Sequence, residues 1–271
     1  MERQVNWRRN LAALWFAQLT AIFGFSFAFP FLPLYLRDLG LHSASDLALW
    51  TGLTGGAAGF AQAIVSPIWG VVADRYGRKS MLLRAMIGGG ITVGAMALAR
   101  APMHLLLLRV AQGATSGTVS AAQSLVAGGT PRTRVGWALG IMSSAIAVGA
   151  ALGPLVGGLL AGALGLRTIF WFGGALLVLA AIPVFILVED VGVRTQAGPR
   201  APVRSVLRQA GPGTLEAVAV LVACQALLQI SYSAFQPLLV LKLLAITSSG
   251  VTRVTGCLLY TSDAADDLTR V

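Results

Sequence analysis

Charge is what this sequence lacks most. Only 11% of its 271 residues are Asp, Glu, Lys or Arg, against roughly 25% in a typical soluble domain. The shortage is heaviest on the acidic side, with 10 Asp and Glu against 20 Lys and Arg. A chain that is 56% hydrophobic and places its few charges between long apolar blocks has lipid as its solvent. The net charge of +10 does not mark a nucleic-acid binder, because a basic recognition face needs a soluble domain to carry it. Cysteine is nearly absent: Cys224 and Cys257 are too few for a disulfide framework. Histidine is as scarce. His42 and His104 both fall toward one end of the apolar blocks, and no H-E-x-x-H or G-x-S-x-G occurs. The chain therefore offers no catalytic constellation and no metal-ligand set for an intramembrane enzyme.

What is present is a succession of apolar blocks long enough to span a bilayer, which takes about 20 helical residues each. They run over Leu11–Leu36, Leu47–Ala73, Met81–Ala99, Met103–Val126, Gly136–Leu164 and Thr168–Val188, with a seventh over Leu215–Leu241. The first is too long for a signal peptide, and Pro30 and Pro33 argue against processing. Lys and Arg gather at alternate ends. One side collects Arg3, Arg8, Arg9, Arg75, Arg78, Lys79, Arg84, Arg132 and Arg134, then Arg194, Arg200, Arg204 and Arg208. The other side has Arg37, Arg100 and Arg167. This imbalance predicts a cytoplasmic N-terminus.

The expected organisation is a six-span unit over residues 1–188, a flexible polar linker over 189–213, and a seventh span over 214–243. "FLPL" at Phe31–Leu34 is echoed by "FQPL" at Phe235–Leu238, which fits two repeated halves of which the second has only begun. Residues 257–271 follow no span pattern. "CLLYTSDAADD" reads as the translation of a sequencing adapter and is set aside as an artefact. The sequence is accordingly expected to be a fragment of a longer protein.

Four stretches carry chemistry. "GVVADRYGRKS" places Gly70, Asp74, Arg75, Gly77, Arg78 and Lys79 in the turn between the second and third blocks. Gly70 admits a close neighbouring helix and Gly77 permits the positive φ of a tight turn. Asp74 can pair with an arginine or with the positive N-terminus of a facing helix. In the fifth block, Gly140, Gly149, Gly153, Pro154, Gly157 and Gly158 form a glycine–proline series. Its four-residue spacing from Gly149 to Gly157 makes a flat face for helix packing in lipid. In the fourth block, Arg109, Gln112, Gly113, Ser116, Ser120 and Gln123 follow one helical sector and predict a polar stripe facing a cavity. In the first, Gln18, Ile22, Phe25 and Phe29 share a face able to stack on an apolar substrate.

These motifs resemble a known family. G-x-x-x-D-R-x-G-R-K over Gly70–Lys79 is similar to the loop signature of the major facilitator superfamily. The series Gly140–Gly158 resembles the antiporter signature of its twelve-span drug–proton antiporter group, and Leu105, Arg109, Gln112 and Gly113 resemble a further element of that group. The resemblance extends from residue 6 to about residue 243. It implies an all-α membrane protein: the N-terminal six-helix half of the major facilitator fold plus the first helix of the second half. It also implies a loop that latches the two halves, and proton-driven efflux of amphipathic small molecules by alternating access. The proton would be the coupling ion and no other cofactor is needed. The full-length protein would be a monomer in a bacterial inner membrane, and the fragment alone would not transport. The alternative is proton-coupled symport of a small metabolite within the same superfamily, against which the glycine–proline series stands. Coupling requires a titratable group, and the interiors of the first six blocks hold no Asp or Glu.

Overall fold

A computed structural model describes residues 6–190, together with Glu216, Ala217, Val220, Ala223, Cys224 and Leu227. The linker expected over 189–213 beyond Asp190, most of the seventh span and the adapter-like segment lie outside the described residues. Within them the chain is helical throughout: α1 (Trp7–Ala28), a short 3-10 turn (Phe29–Phe31), α2 (Leu32–Asp38), α3 (Ala44–Tyr76), α4 (Arg78–Met96), α5 (Pro102–Thr115), α6 (Thr118–Gly129), a second 3-10 turn (Arg132–Arg134), α7 (Val135–Leu164) and α8 (Leu166–Leu187).

The boundaries have local causes. Asn6 Oδ1 accepts from the Arg9 backbone N–H at 3.3 Å and caps α1. Pro30 and Pro33 cannot donate to a helical ladder, and between them the first block changes from α1 through a 3-10 turn to α2. Gly77, at φ +89°, ends α3 and starts α4 in a single residue. Pro102 opens α5, where its missing N–H costs nothing.

The fourth block departs from expectation. It is two helices, not one, because Ser116 is extended and Gly117 takes φ +121° between α5 and α6. Among the described residues, four segments are long and apolar enough to cross a membrane: Trp7–Asp38, Ala44–Tyr76, Arg132–Leu164 and Leu166–Leu187. The α5/α6 break divides a fifth, and α4 has Arg78, Lys79 and Arg84 among its first seven residues. Among the described residues six helical rods thus follow one another, four of them both long and apolar enough to span a bilayer.

The rods pack through small residues. α1 lies against α7 and α8, α4 against α8, and α3 against α5. α8 touches two neighbours with consecutive glycines. A Cβ at Gly173 would meet the Gly24 carbonyl of α1 at 2.7 Å, and one at Gly174 would meet the Gly90 carbonyl of α4 at 2.6 Å. Such backbone-to-backbone contact supplies the dispersion that holds helices together in lipid, where the hydrophobic effect does not. Two apolar cores result. One, around Leu14, Leu82, Met86, Met142 and Val184, sits toward the basic end. The other, around Phe31, Tyr35, Leu36, Met96, Leu105 and Phe170, sits toward the opposite end. Tyr35 secures the second core, its hydroxyl within hydrogen-bond distance of the carbonyls of Met96 (2.9 Å), Ala97 and Ala99 (both 3.3 Å). α3 stays outside both cores for most of its length, exposing Leu53, Phe60, Ile64 and Ile68.

Candidate functional site

A cavity of 580 Å³ opens between α1, α3, α5 and α6. α3 and α5 pack against each other along its edge, and their backbones come into direct contact at one point. That point is Gly113, whose Cβ would overlap the Ala58 backbone carbonyl. One turn away on both helices, Arg109 Nε donates to the Thr54 carbonyl at 3.0 Å. Arg109 Nη1 donates to Gln112 Oε1 at 2.5 Å. The guanidinium carbon stands 4.0 Å from the centroid of the Phe29 ring, within cation–π range. Arg109 is 2% exposed, and its Nη2 has no hydrogen-bond partner among the described residues. A cation is thus held against an aromatic face, with one N–H pair uncommitted, at the wall of a cavity.

All of the polar stripe expected on the fourth block lines this space: Arg109, Gln112, Gly113, Ser116, Ser120 and Gln123. They do so across the helix break, which re-aims α6 without turning its polar face away. Ile22, Phe25 and Phe29 line it from the α1 side. Gln18 does not. It is fully buried, and neither amide atom has a partner among the described residues. Helical phase placed it on the right face of α1, but it lies one turn past the end of the cavity, where neighbouring helices close over it.

The glycine–proline series of α7 is partly as expected. Gly149, Gly153 and Gly157 form the contact with α1: a Cβ at each would meet Leu19 O at 3.0 Å, overlap Ser26, or meet Phe27 O at 2.6 Å. Pro154 and Gly158 are buried beside them. Gly140 is different. A Cβ there meets nothing within 4 Å, because nine residues at about 100° each put it on the face opposite Gly149.

The charged loop also divides. Gly77 holds its positive φ, and a Cβ there would meet Asp190 Oδ2 at 2.5 Å. Arg78 Nη1 donates to the Ser124 carbonyl at 2.6 Å, and Lys79 Nζ to the Phe185 carbonyl at 2.8 Å. These two residues therefore bind the loop to α6 and α8 of its own half. Arg75 is exposed and Asp74 half-buried on the last turn of α3. Gly70, expected to admit a close helix, has nothing within 4 Å of its would-be Cβ among the described residues. It lines a second hollow of 270 Å³ that runs on from the cavity past Gln62, Ser116 and Ser120.

That hollow holds a feature missed at the sequence level. Arg84 stacks on Trp69, its guanidinium carbon 3.4 Å from the ring centroid, and Nη2 donates to the Ser116 carbonyl at 3.2 Å. Trp69 is fixed in turn by its Nε1–H to the Ala114 carbonyl at 2.7 Å. Composition marked Arg84 only as an orientation signal. The pairing joins α3 and α4 across a turn, and no local spacing announces it.

The profile of the Major Facilitator Superfamily matches residues 14–261. The chain belongs to the major facilitator superfamily. Among relatives, it is 41% identical over 186 residues to multidrug resistance protein MdtG of Escherichia fergusonii, covering 69% of this chain and 46% of that protein. It is 43% identical over 175 residues to MdtG of Escherichia coli strain K12/DH10B, covering 65% and 43%. The chain thus spans about half the length of the curated relatives it matches. Among solved structures it is similar to the human organic anion transporter MFSD10, with TM-score 0.60 at 21% identity over 69% of this chain and 49% of that one. A bacterial homolog to the human lysosomal transporter Spinster, inward-facing and occupied, gives TM-score 0.59 at 22% identity over 70% and 46%. The fold is that of the major facilitators, and the described helices are six of its rods in a multi-pass membrane protein.

Proposed function

We propose that this chain is the N-terminal part of a multidrug efflux transporter that exchanges amphipathic small molecules for protons by alternating access. The observation that carries the reading is the cavity wall: a buried Arg109 between the Phe29 ring and Gln112, with Ile22 and Phe25 supplying apolar surface. One wall of this kind can hold an amphipathic molecule by its ring system and its polar group together. The similarity to proteins named for multidrug resistance supports the same reading. The opposite wall belongs to the second half, so the fragment alone does not transport.

Coupling falls to the proton. Between Trp7 and Leu187 the only acidic residues are Asp38, Asp46 and Asp74, and all lie at helix ends. The proton-carrying carboxylate accordingly lies in the second half or at Asp74. The protein works as a monomer in the bacterial inner membrane with its N-terminus in the cytoplasm, on the side where Arg8, Arg9, Arg78, Lys79 and Arg134 collect.

The test is efflux of several chemically different dyes from cells carrying the full-length gene, with and without a protonophore. Efflux that stops when the proton gradient collapses is the expected result. Gradient-independent efflux refutes the coupling, and gradient-driven accumulation indicates symport. Arg109→Gln should lower efflux at least about tenfold at equal membrane abundance. Arg109→Lys should not restore it, because a single ammonium cannot reach both the Thr54 carbonyl and Gln112.

A further inference from the structure

Away from the transport cavity, a second concave surface lies between the first turns of α1 and α7. Where Gly149, Gly153 and Gly157 face α1, the two helices touch backbone to backbone. Toward the basic end, both helices carry indoles instead of glycines, and a groove of 390 Å³ opens between them. Trp7, Trp15 and Trp137 form its walls, and Leu11 and Ile141 its floor. Three of the chain's six tryptophans therefore line one groove. The ring of Trp7 meets that of Trp137 edge-on at 6.5 Å. The one polar atom of Trp15 is satisfied by Ser144 Oγ at 3.1 Å, so that wall presents only ring carbon.

Two cations stand at the mouth. Arg8 projects from the first turn of α1, its guanidinium carbon 5.4 Å from the Trp7 ring centroid. Arg134 immediately precedes α7. Among the described residues no acidic side chain lines the groove, and nearby Glu189 is held by Arg9 at 2.6 Å. From Arg8 the groove runs along α1 to Phe16, about 12 Å at 1.5 Å per residue. The cations thus stand at one end of the groove, and beyond them indole and aliphatic side chains alternate, Leu11 before Trp15 on α1 and Trp137 before Ile141 on α7.

We propose that this groove is a binding site for one anionic phospholipid, its phosphate between Arg8 and Arg134 and an acyl chain laid along Leu11, Trp15 and Ile141. The polarity matches such a lipid: basic residues at one end for the phosphate, and uncharged indole and aliphatic surface beyond them for an acyl chain. The chain's own continuation is a poor occupant. The segment after Asp190 brings Arg194, Arg200, Arg204 and Arg208, which the two mouth cations repel. A zwitterionic lipid fits the apolar floor but gains less at the mouth. The site is independent of the transport reading and of which way the protein faces, since both leaflets of a test bilayer can be made alike.

Tryptophan quenching by lipids brominated on their acyl chains reads the groove once Trp50, Trp69 and Trp171 are replaced by Phe, leaving Trp7, Trp15 and Trp137 as the reporters from these residues. The protein would be purified into phosphatidylethanolamine nanodiscs containing a graded fraction of brominated phosphatidylglycerol or, in a parallel series, brominated phosphatidylethanolamine. Two interfacial arginines, each worth about fivefold, predict half-maximal quenching at a roughly 30-fold lower fraction of phosphatidylglycerol. Arg8→Gln with Arg134→Gln should abolish that preference, and Arg8→Lys with Arg134→Lys should keep most of it. Arg132→Gln, on the same face but outside the groove, should leave it unchanged. Equal quenching by the two lipids would overturn the proposal, as would a preference that survives loss of both arginines. A preference lost equally in Arg132→Gln would mean diffuse surface attraction and not a site. Quenching preference in the 271-residue chain that vanishes in the full-length transporter would mean that the groove seats the second half, and would also overturn it.

Discussion

Gly113→Ala in the full-length transporter puts one methyl group at the point where α3 and α5 meet. The added Cβ would overlap the Ala58 carbonyl oxygen and lie 2.8 Å from both the Ala58 carbonyl carbon and Cα, where ordinary contact begins at 3.4 Å. All three are backbone atoms, so no side chain can swing aside and the helices must part by at least about 0.6 Å. One turn away, the bond from Arg109 Nε to the Thr54 carbonyl, now 3.0 Å, stretches to about 3.6 Å, where it is no longer a hydrogen bond. A hydrogen bond to a charged group contributes about 1.5–3 kcal/mol, and overpacking adds about 1–3 kcal/mol of strain. The released guanidinium leaves the Phe29 face, so the cavity loses its organised wall. Efflux should fall by about tenfold or more, measured as dye extrusion normalised to membrane-inserted protein. Gly136→Ala, outside every motif named above, is the control, because a Cβ there meets nothing within 4 Å among the described residues. If Gly113→Ala inserts normally and exports at the wild-type rate, the α3–α5 contact does not position Arg109 and the site is wrongly built.

Two alanine substitutions on α7 should separate cleanly: Gly153→Ala lowers stability by about 1–3 kcal/mol because it drives into Ser26, whereas Gly140→Ala is neutral; detergent thermal-shift midpoints check both. Tyr35→Phe removes the donor that ties α2 to the carbonyls of Met96, Ala97 and Ala99 and should cost about 1–2 kcal/mol in the same assay. Cysteines at Thr133 and Thr195 should be shielded from an impermeant thiol reagent in intact cells and one at Ser43 labelled; labelling at Thr133 would overturn the orientation.

The helices were legible in the sequence because lipid demands long uninterrupted apolar runs and the interruptions are chemical. Glycine at 77 and the basic clusters mark ends that the fold keeps, whereas the first block reads straight through Pro30 and Pro33, where α1 gives way to a 3-10 turn and α2. The break at Ser116–Gly117 was not legible by the same rule, since a single glycine barely lowers the hydropathy of a 24-residue window. The cavity was half legible. Helical phase gives the face of a residue but not its depth, so Arg109, Gln112, Ser116 and Gln123 were found, while Gln18, on an equally plausible face, is buried beyond the cavity. The same phase rule, applied within the α7 series, already separates Gly140 from Gly149. Contacts made across a turn or between distant helices left no local trace. The Arg84–Trp69 stack and the pairing of Gly173 and Gly174 with α1 and α4 depend on which helices are neighbours, and periodicity within one helix carries no information on that.

The charged loop shows why two explanations of the same residues need not compete. Lys and Arg at this end bias orientation through their charge alone, whatever they touch. Yet the last carbonyls of a helix have no intrahelical partner, and α8 ends at Leu187 with the Phe185 carbonyl in that final turn. Lys79 Nζ reaches it at 2.8 Å while lying 5.7 Å from the centroid of the same residue's ring. Arg78 takes the Ser124 carbonyl of α6. Both can do so only because Gly77, at φ +89°, reverses the chain without a residue of slack, setting α4 beside the ends of α6 and α8. A β-carbon at Gly77 would meet both a left-handed backbone and Asp190 at 2.5 Å. Arg78 and Lys79 thus hold α4 in register with α6 and α8 at their common end.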